Sequence, residues 1–199
     1  MNGDKSNLIT KTLYEIFNEI PKSNLNKSNT PFVDAQKVIN TASLKAAAVS
    51  GVAALPPGPF GFATIAPELY TVWKIQAQMV ADVCALYGQN SHLTQESMIY
   101  CLFRHGSGHL FNDVVIRIGE RALIKRASLK FMQSILEKIG MRVTQRVISK
   151  SITRFLPFVG AVTLAGYAKY DTSNVGKNAI DLFKSQIEFQ DKETEKKSA

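Results

Sequence analysis

From Ala46 to Pro67 the chain runs 22 residues without a charge, and the middle of that run decides what it can become. Pro56-Pro57-Gly58-Pro59 falls there, with Gly61 close behind. Proline offers no N–H and its ring clashes with the preceding turn, so a helix cannot pass through such a cluster. A membrane-spanning helix needs about 20 continuous apolar residues. The segment is therefore cut into two short arms and folds back as a hairpin. A second uncharged stretch, Phe155 to Ala168, has only 14 residues. Two readings fit these hairpins. The favoured one buries them, with small residues packing closely around the turn. The other places them at a membrane interface, where Phe60 and Phe62 at the tip would enter lipid.

The same punctuation divides the rest of the chain into helices. Apolar residues at helical spacing run from Leu8 to Ile20, and Pro21 closes that helix. Lys22 to Thr30 is polar and reads as a linker. Phe32 to Leu55 is a second helix, and Thr64 to Tyr87 a third, about 36 Å long at ~1.5 Å per residue, with Gly88 as its stop. Thr94 can cap a short helix ending near His105, where Gly106-Ser107-Gly108 weakens it. Leu110 to Leu136 is expected to be helical, with a division near Gly119 or Lys125. Gly140 punctuates, Met141 to Phe155 is amphipathic, and Pro157 opens an apolar helix reaching Phe183. Residues 186–199 read as a charged flexible tail. No segment alternates long enough to argue a sheet. The expected fold is all-α, a compact multi-helix bundle with apolar Pro/Gly hairpins and almost no strand. It is divided into an N-terminal helix and linker over 1–31, a helical domain over 32–185 and the tail.

Composition narrows the function classes. With 199 residues and 45% hydrophobic content the chain can bury a full core. Two cysteines do not make a disulfide-stapled module. The first ten residues are polar and lack a signal-peptide h-region, so a cytoplasmic protein is expected, peripheral at the inner membrane face at most. The net charge of +8 is concentrated: between Arg104 and Arg154 there are 11 Lys and Arg against 3 Asp and Glu. A localised excess favours an anionic partner, whether phospholipid, nucleic acid or acidic protein. Within it Arg142, Arg146, Lys150 and Arg154 recur every four residues. Val143, Val147, Ile148 and Ile152 lie beside them, the pattern of a basic amphipathic helix that meets a membrane surface. Nucleic acid is the weaker partner, because aromatics are not interleaved with these cations and no DNA-binding motif is present.

Signals for chemistry are sparse. His105, His109 and Asp113 are spaced by four, so a continuous helix would align them as ligands for a divalent metal. Gly106 and Gly108 interrupt that helix, and the general-base Glu of HExxH is missing. A metal-dependent hydrolase using those three residues is thus an alternative, not the main expectation, and no cofactor is expected. Cys84 and Cys101 read as buried inert thiols. Ser107 lacks the strand and spacing of a nucleophile elbow. Gln76, Gln78 and Asp82 interrupt an otherwise apolar helix and must find partners. Asp113, Arg117 and Asp171 could supply them, as an internal polar network or as a polar pocket.

A family resemblance rests on residues distributed over most of the chain. Leu55-Pro56-Pro57-Gly58-Pro59-Phe60-Gly61, Pro67-Glu68-Leu69, Trp73, Gln76, Asp82 and Tyr87-Gly88 resemble the first half of EcsC-family proteins. Arg117-Ile118-Gly119-Glu120, Arg126, Leu156-Pro157-Phe158-Val159-Gly160 and Tyr170-Asp171-Thr172 resemble the second half. The span is roughly Lys37 to Phe183. The two Pro/Gly hairpins are also similar to the helical membrane-associated domain appended to some bacterial GTPases, although this chain has no GTPase motif. The resemblance implies a bacterial helical protein, with an ABC transporter as a partner by family association and no settled activity. The combined expectation is an accessory or binding protein that associates peripherally with an anionic membrane or a membrane protein. A non-specific nucleic-acid binder is the third reading.

Overall fold

A computed structural model describes residues 2–53, 65–111, 114–150 and 157–190. The proline cluster with Phe60 and Phe62, the carboxylate of Asp113, Arg154 and residues 191–199 lie outside the described residues. So do the side chains of Ser107, His109, Arg146 and Lys150. Six α-helices are described: α1 (Asn2–Asn18), α2 (Pro31–Ala53), α3 (Ile65–Leu86), α4 (Gln95–Ser107), α5 (Leu129–Lys150) and α6 (Pro157–Phe183). Single 3₁₀ turns at Asn90–His92 and Gly108–Phe111 flank α4. The fold is mainly helical, as its periodicity and stops require.

The local signals act as their chemistry dictates. Thr94 caps α4: its hydroxyl accepts from the Ser97 N–H, and the Ser97 hydroxyl accepts from the Thr94 N–H at 2.8 Å. Two of the orphan donors at the helix start are thereby satisfied. Gly88 ends α3 with φ +71, a conformation that disfavours any side chain, and Lys27 packs where a Cβ would project.

Three expectations need correction. The segment from Leu110 to Leu136 is not helical throughout, for it contains β1 (Val115–Ile118) and β2 (Arg121–Lys125). These strands pair antiparallel around Gly119-Glu120, with Gly119 at φ +61 taking the first place of a two-residue hairpin. The expected tail from residue 186 opens with β3 (Gln186–Gln190), which pairs parallel with β2, Ile187 opposite Ala122 and Phe189 opposite Ile124. Strand content is therefore small but real. The third correction is at Gly140, which does not divide two helices. It lies inside α5, where α1 crosses, and a Cβ there would overlap the Thr10 hydroxyl.

One core joins these pieces. Leu13 and Phe17 of α1 meet Phe103 of α4 and Trp73 of α3, with ring centroids 6.1 Å apart for Phe17–Phe103 and 5.8 Å for Trp73–Phe103. Ile135 and Ile139 of α5, Leu182 and Phe183 of α6, and Ala122 and Ile124 of β2 complete it. The N-terminal helix thus shares the core of the segment that follows. Its linker is laid along α3: the Ser28 N–H donates to the Leu86 carbonyl at 3.0 Å, and the Ser23 hydroxyl donates to Asp82 at 2.7 Å.

Among the described residues the most extensive helix pairing is α2 with α6, which run antiparallel. Ile39 packs on Gly176 near one end, and Ala46 meets Ala168, with Val72 of α3, toward the other. At Gly176 a Cβ would overlap Ile39 Cγ1 and stand 2.7 Å from Cδ1 and 2.9 Å from Cγ2. Alanine would raise helix propensity by about 1 kcal/mol, but overpacking costs about 1–3 kcal/mol. The overlap here involves three atoms of a buried side chain, so Gly176→Ala is expected to lower stability in urea titrations. Ile39→Ala in the same chain should recover part of that loss. A stabilised Gly176→Ala variant would contradict the close approach.

Candidate functional site

The polar side chains of α6 form a ladder that draws in α3, α4 and β1. At its centre the Gln76 amide, 1% exposed on α3, donates to Asp171 Oδ2 at 2.9 Å and to the Thr172 hydroxyl at 3.1 Å. His105, near the end of α4, places Nε2 2.8 Å from Asp171 Oδ1. An ionised carboxylate can only accept, so Nε2 carries the proton in that bond. The two side chains are each 22% exposed. Asp171 thus binds one partner with each oxygen, and the three residues tie α3, α4 and α6 together at mid-height. One turn beyond Val175, the Asn178 amide donates to the Cys101 carbonyl at 3.0 Å.

The end of the ladder is more strongly charged. Asp181 receives Arg117 Nη1 of β1 at 2.5 Å, Arg104 Nη1 of α4 at 3.2 Å and Lys184 Nζ at 3.2 Å. Arg117 Nη2 also donates to the Asp181 carbonyl and to the Ser185 hydroxyl, both at 3.2 Å. Arg117 thereby joins the sheet to the C-terminal turn of α6, where cations offset the helix dipole. Burial alone would raise the Asp181 carboxyl. Hydrogen bonds from Arg117, Lys184 and Arg104 outweigh it and hold the group below its ordinary value.

A different kind of surface lies on the outward arcs of α2 and α6. Between Lys37 and Val52 there is no acid, and between Val162 and Lys177 the one acid is Asp171, turned toward Gln76 and His105. Leu44, Val52, Val162, Tyr167 and Tyr170 are exposed there, Val52 by 68%, Val162 by 75% and Tyr170 by 66%. Lys45, Lys169 and Lys177 are exposed among them. At 100° per residue these positions fall on one outward arc of each helix. No described helix is long and apolar enough to cross a membrane.

The residues singled out in the sequence are thus distributed over separate places. Gln76 and Asp171 meet. Arg117 does not join them; it pairs with Asp181, a residue that the sequence reading passed over. Asp82 lies apart again, accepting from Ser23 and, at 3.0 Å, from the Gln78 amide, whose Nε2 also donates to the Lys22 carbonyl. Gln78 and Asp82 therefore hold the linker and take no part in the Gln76 contacts. Of the cationic series, Arg142 is half-buried and engaged with a partner. Of the proposed metal set, the described side chain is His105, which is bonded to Asp171. Among the described residues no three His, Cys, Asp or Glu side chains converge to hold a metal. Cys84 and Cys101 are buried and unpaired. Burial pushes the Cys84 thiol up to about 12 and the Cys101 thiol well above its ordinary value, so neither is a ready thiolate.

No family model, curated protein or solved structure matches the chain. Among the described residues that carry the EcsC resemblance, Gln76 donates to both Asp171 and Thr172, Trp73 is in the core, and Gly88 and Gly119 have positive φ.

The lowered Asp181 carboxyl makes a pH prediction. A depressed carboxylate stabilises the fold above its unfolded value, near 3.8, and that contribution is lost as pH falls through the folded value. In thermal melts, Asp181→Asn should be less stable than the parent near neutral pH. The gap should close as the pH is lowered past that range. A gap independent of pH would show that the carboxylate's charge contributes nothing.

Proposed function

We propose that the protein is a membrane-surface accessory factor that binds an anionic bilayer reversibly through the outward α2/α6 face. The observation that carries the reading is the composition of that face: lysines and exposed apolar and tyrosine side chains over 37–52 of α2 and 162–177 of α6, where the one acid, Asp171, is turned toward Gln76 and His105. Lysine stems lie along apolar surface while their ammonium groups reach phosphates. Tyrosine favours the same boundary, with an apolar ring and a polar tip. Each cation near an anionic surface contributes about 1 kcal/mol, so Lys45, Lys169 and Lys177 together account for about 3 kcal/mol, a reversible and salt-sensitive attachment.

Other features support this reading. The uncharged stretches 46–53 of α2 and 157–168 of α6 meet where Ala46 contacts Ala168, and six residues of sequence separate the cationic end of α5 from the start of α6. The EcsC resemblance supports a bacterial setting, with a membrane transporter of the ABC class as the neighbouring protein.

Co-sedimentation with phosphatidylglycerol vesicles tests the proposal. The parent should bind at low salt and be released at high salt, and neutral phosphatidylcholine vesicles should bind little. Changing Lys45, Lys169 and Lys177 to Gln should weaken binding about 100-fold, the equivalent of 3 kcal/mol, without loss of helicity by circular dichroism. Unchanged binding by that variant, or equal binding to neutral vesicles, would overturn the electrostatic reading. Binding to DNA in preference to vesicles would overturn the membrane assignment itself.

A further inference from the structure

Three cations converge where one carboxylate balances them. Arg104, Arg117 and Lys184 all contact Asp181, which leaves a surplus of two positive charges among the described residues of this cluster. The capping of α6 explains only part of it, since Arg117 alone donates to the Asp181 carbonyl. Arg104 is held in place independently, its guanidinium 5.3 Å over the ring of buried Tyr100. Arg117 is fixed by Ser185 and the helix end. The cluster opens to solvent, with the Arg104 side chain 35% exposed and the Lys184 side chain 55% exposed.

We propose that Arg104, Arg117 and Lys184 form a binding site for a phosphate-class dianion, with Asp181 as the internal counter-ion that holds the three side chains together. A phosphate monoester carries a charge of about −1.5 to −2 near neutral pH, which matches the surplus. Guanidinium forks suit its oxygens in paired hydrogen bonds, and the ammonium adds a compact charge. The three side chains come from α4, β1 and the turn after α6, so the fold has already brought them together. Free phosphate and the monoester headgroup of a phospholipid share this chemistry. This proposal rests on the contacts at Asp181 and does not depend on the membrane reading of the α2/α6 face.

Titration with inorganic phosphate, followed by calorimetry and thermal melts against chloride at equal ionic strength, gives the first test. Phosphate should bind saturably and raise the melting temperature of the parent. Arg104→Gln and Lys184→Gln should each weaken binding about tenfold or more, because a charge-assisted bond is lost. Lys184 is exposed enough that its variant should fold, which circular dichroism checks. Asp181→Asn removes the competing anion and should respond to phosphate more strongly than the parent. In a second arm, vesicles containing phosphatidic acid are compared with phosphatidylglycerol vesicles of equal charge density. A preference for phosphatidic acid that is lost in Arg104→Gln and Lys184→Gln, without binding of free phosphate, assigns the site to a lipid headgroup. Saturable binding of free phosphate assigns it to a soluble ligand. The proposal is overturned if the parent shows neither response, or if both variants respond as the parent does.

Discussion

The packing of α2 against α6 is the contact on which the rest of the architecture depends. Small residues make it possible: Gly176 receives Ile39, and Ala46 meets Ala168. Close backbones bury little area per residue, so the pair relies on tight fit and on the third helix that covers it. That helix is α3, which brings Val72 against the alanines and Trp73 into the main core. The inward side of α6 is then committed to polar contacts with α3, α4 and β1. Its outward side, with that of α2, is left to solvent or to a partner.

This division explains why the polar side chains of α6 do two jobs. Asp171 is matched oxygen by oxygen, by Gln76 and His105, and a matched half-buried carboxylate fixes the register of three helices. Asp181 lies nearer the surface and is over-matched by cations, so it secures the sheet to the helix end and leaves charge in excess. The two carboxylates are ten residues apart on one helix, yet burial and partner count give them different chemistry.

Most of the helices were legible because their signals are local. Thr94 is followed three residues later by Ser97, Gly88 follows the last apolar turn of α3, and Pro157 opens α6. The sheet was less legible because its pairing is distant: β3 returns to β2 only after α5 and α6 have been laid down. Its traces were nonetheless present. Val114 to Ile118 is rich in β-branched residues and ends at Gly119, and Gln186-Ile187-Glu188-Phe189-Gln190 alternates polar and apolar throughout. Gly140 shows the opposite limit, since a glycine that stops one helix can admit a neighbouring helix in another. Of the polar residues, Gln76 could be expected to find a partner because a buried amide needs one, and Asp171 was one of three residues offered for it, with Asp113 and Arg117. Asp181 gave no such signal, since a carboxylate near a helix end can be satisfied by water and so demands no partner in the sequence.

The functional account depends on which surface meets the bilayer, and a nitroxide depth measurement decides it. Cys84 and Cys101 are buried and resist labelling, so single cysteines can be introduced at Leu44 and Tyr170 on the outward face and at Gln133 on the exposed side of α5. Oxygen and a water-soluble nickel complex then report whether each label is in lipid or in water. With phosphatidylglycerol vesicles, labels at Leu44 and Tyr170 should gain oxygen exposure and lose nickel exposure, while the label at Gln133 stays aqueous. If the labels at Leu44 and Tyr170 remain in water while the protein is vesicle-bound, the α2/α6 face is not the contact and the account is wrong.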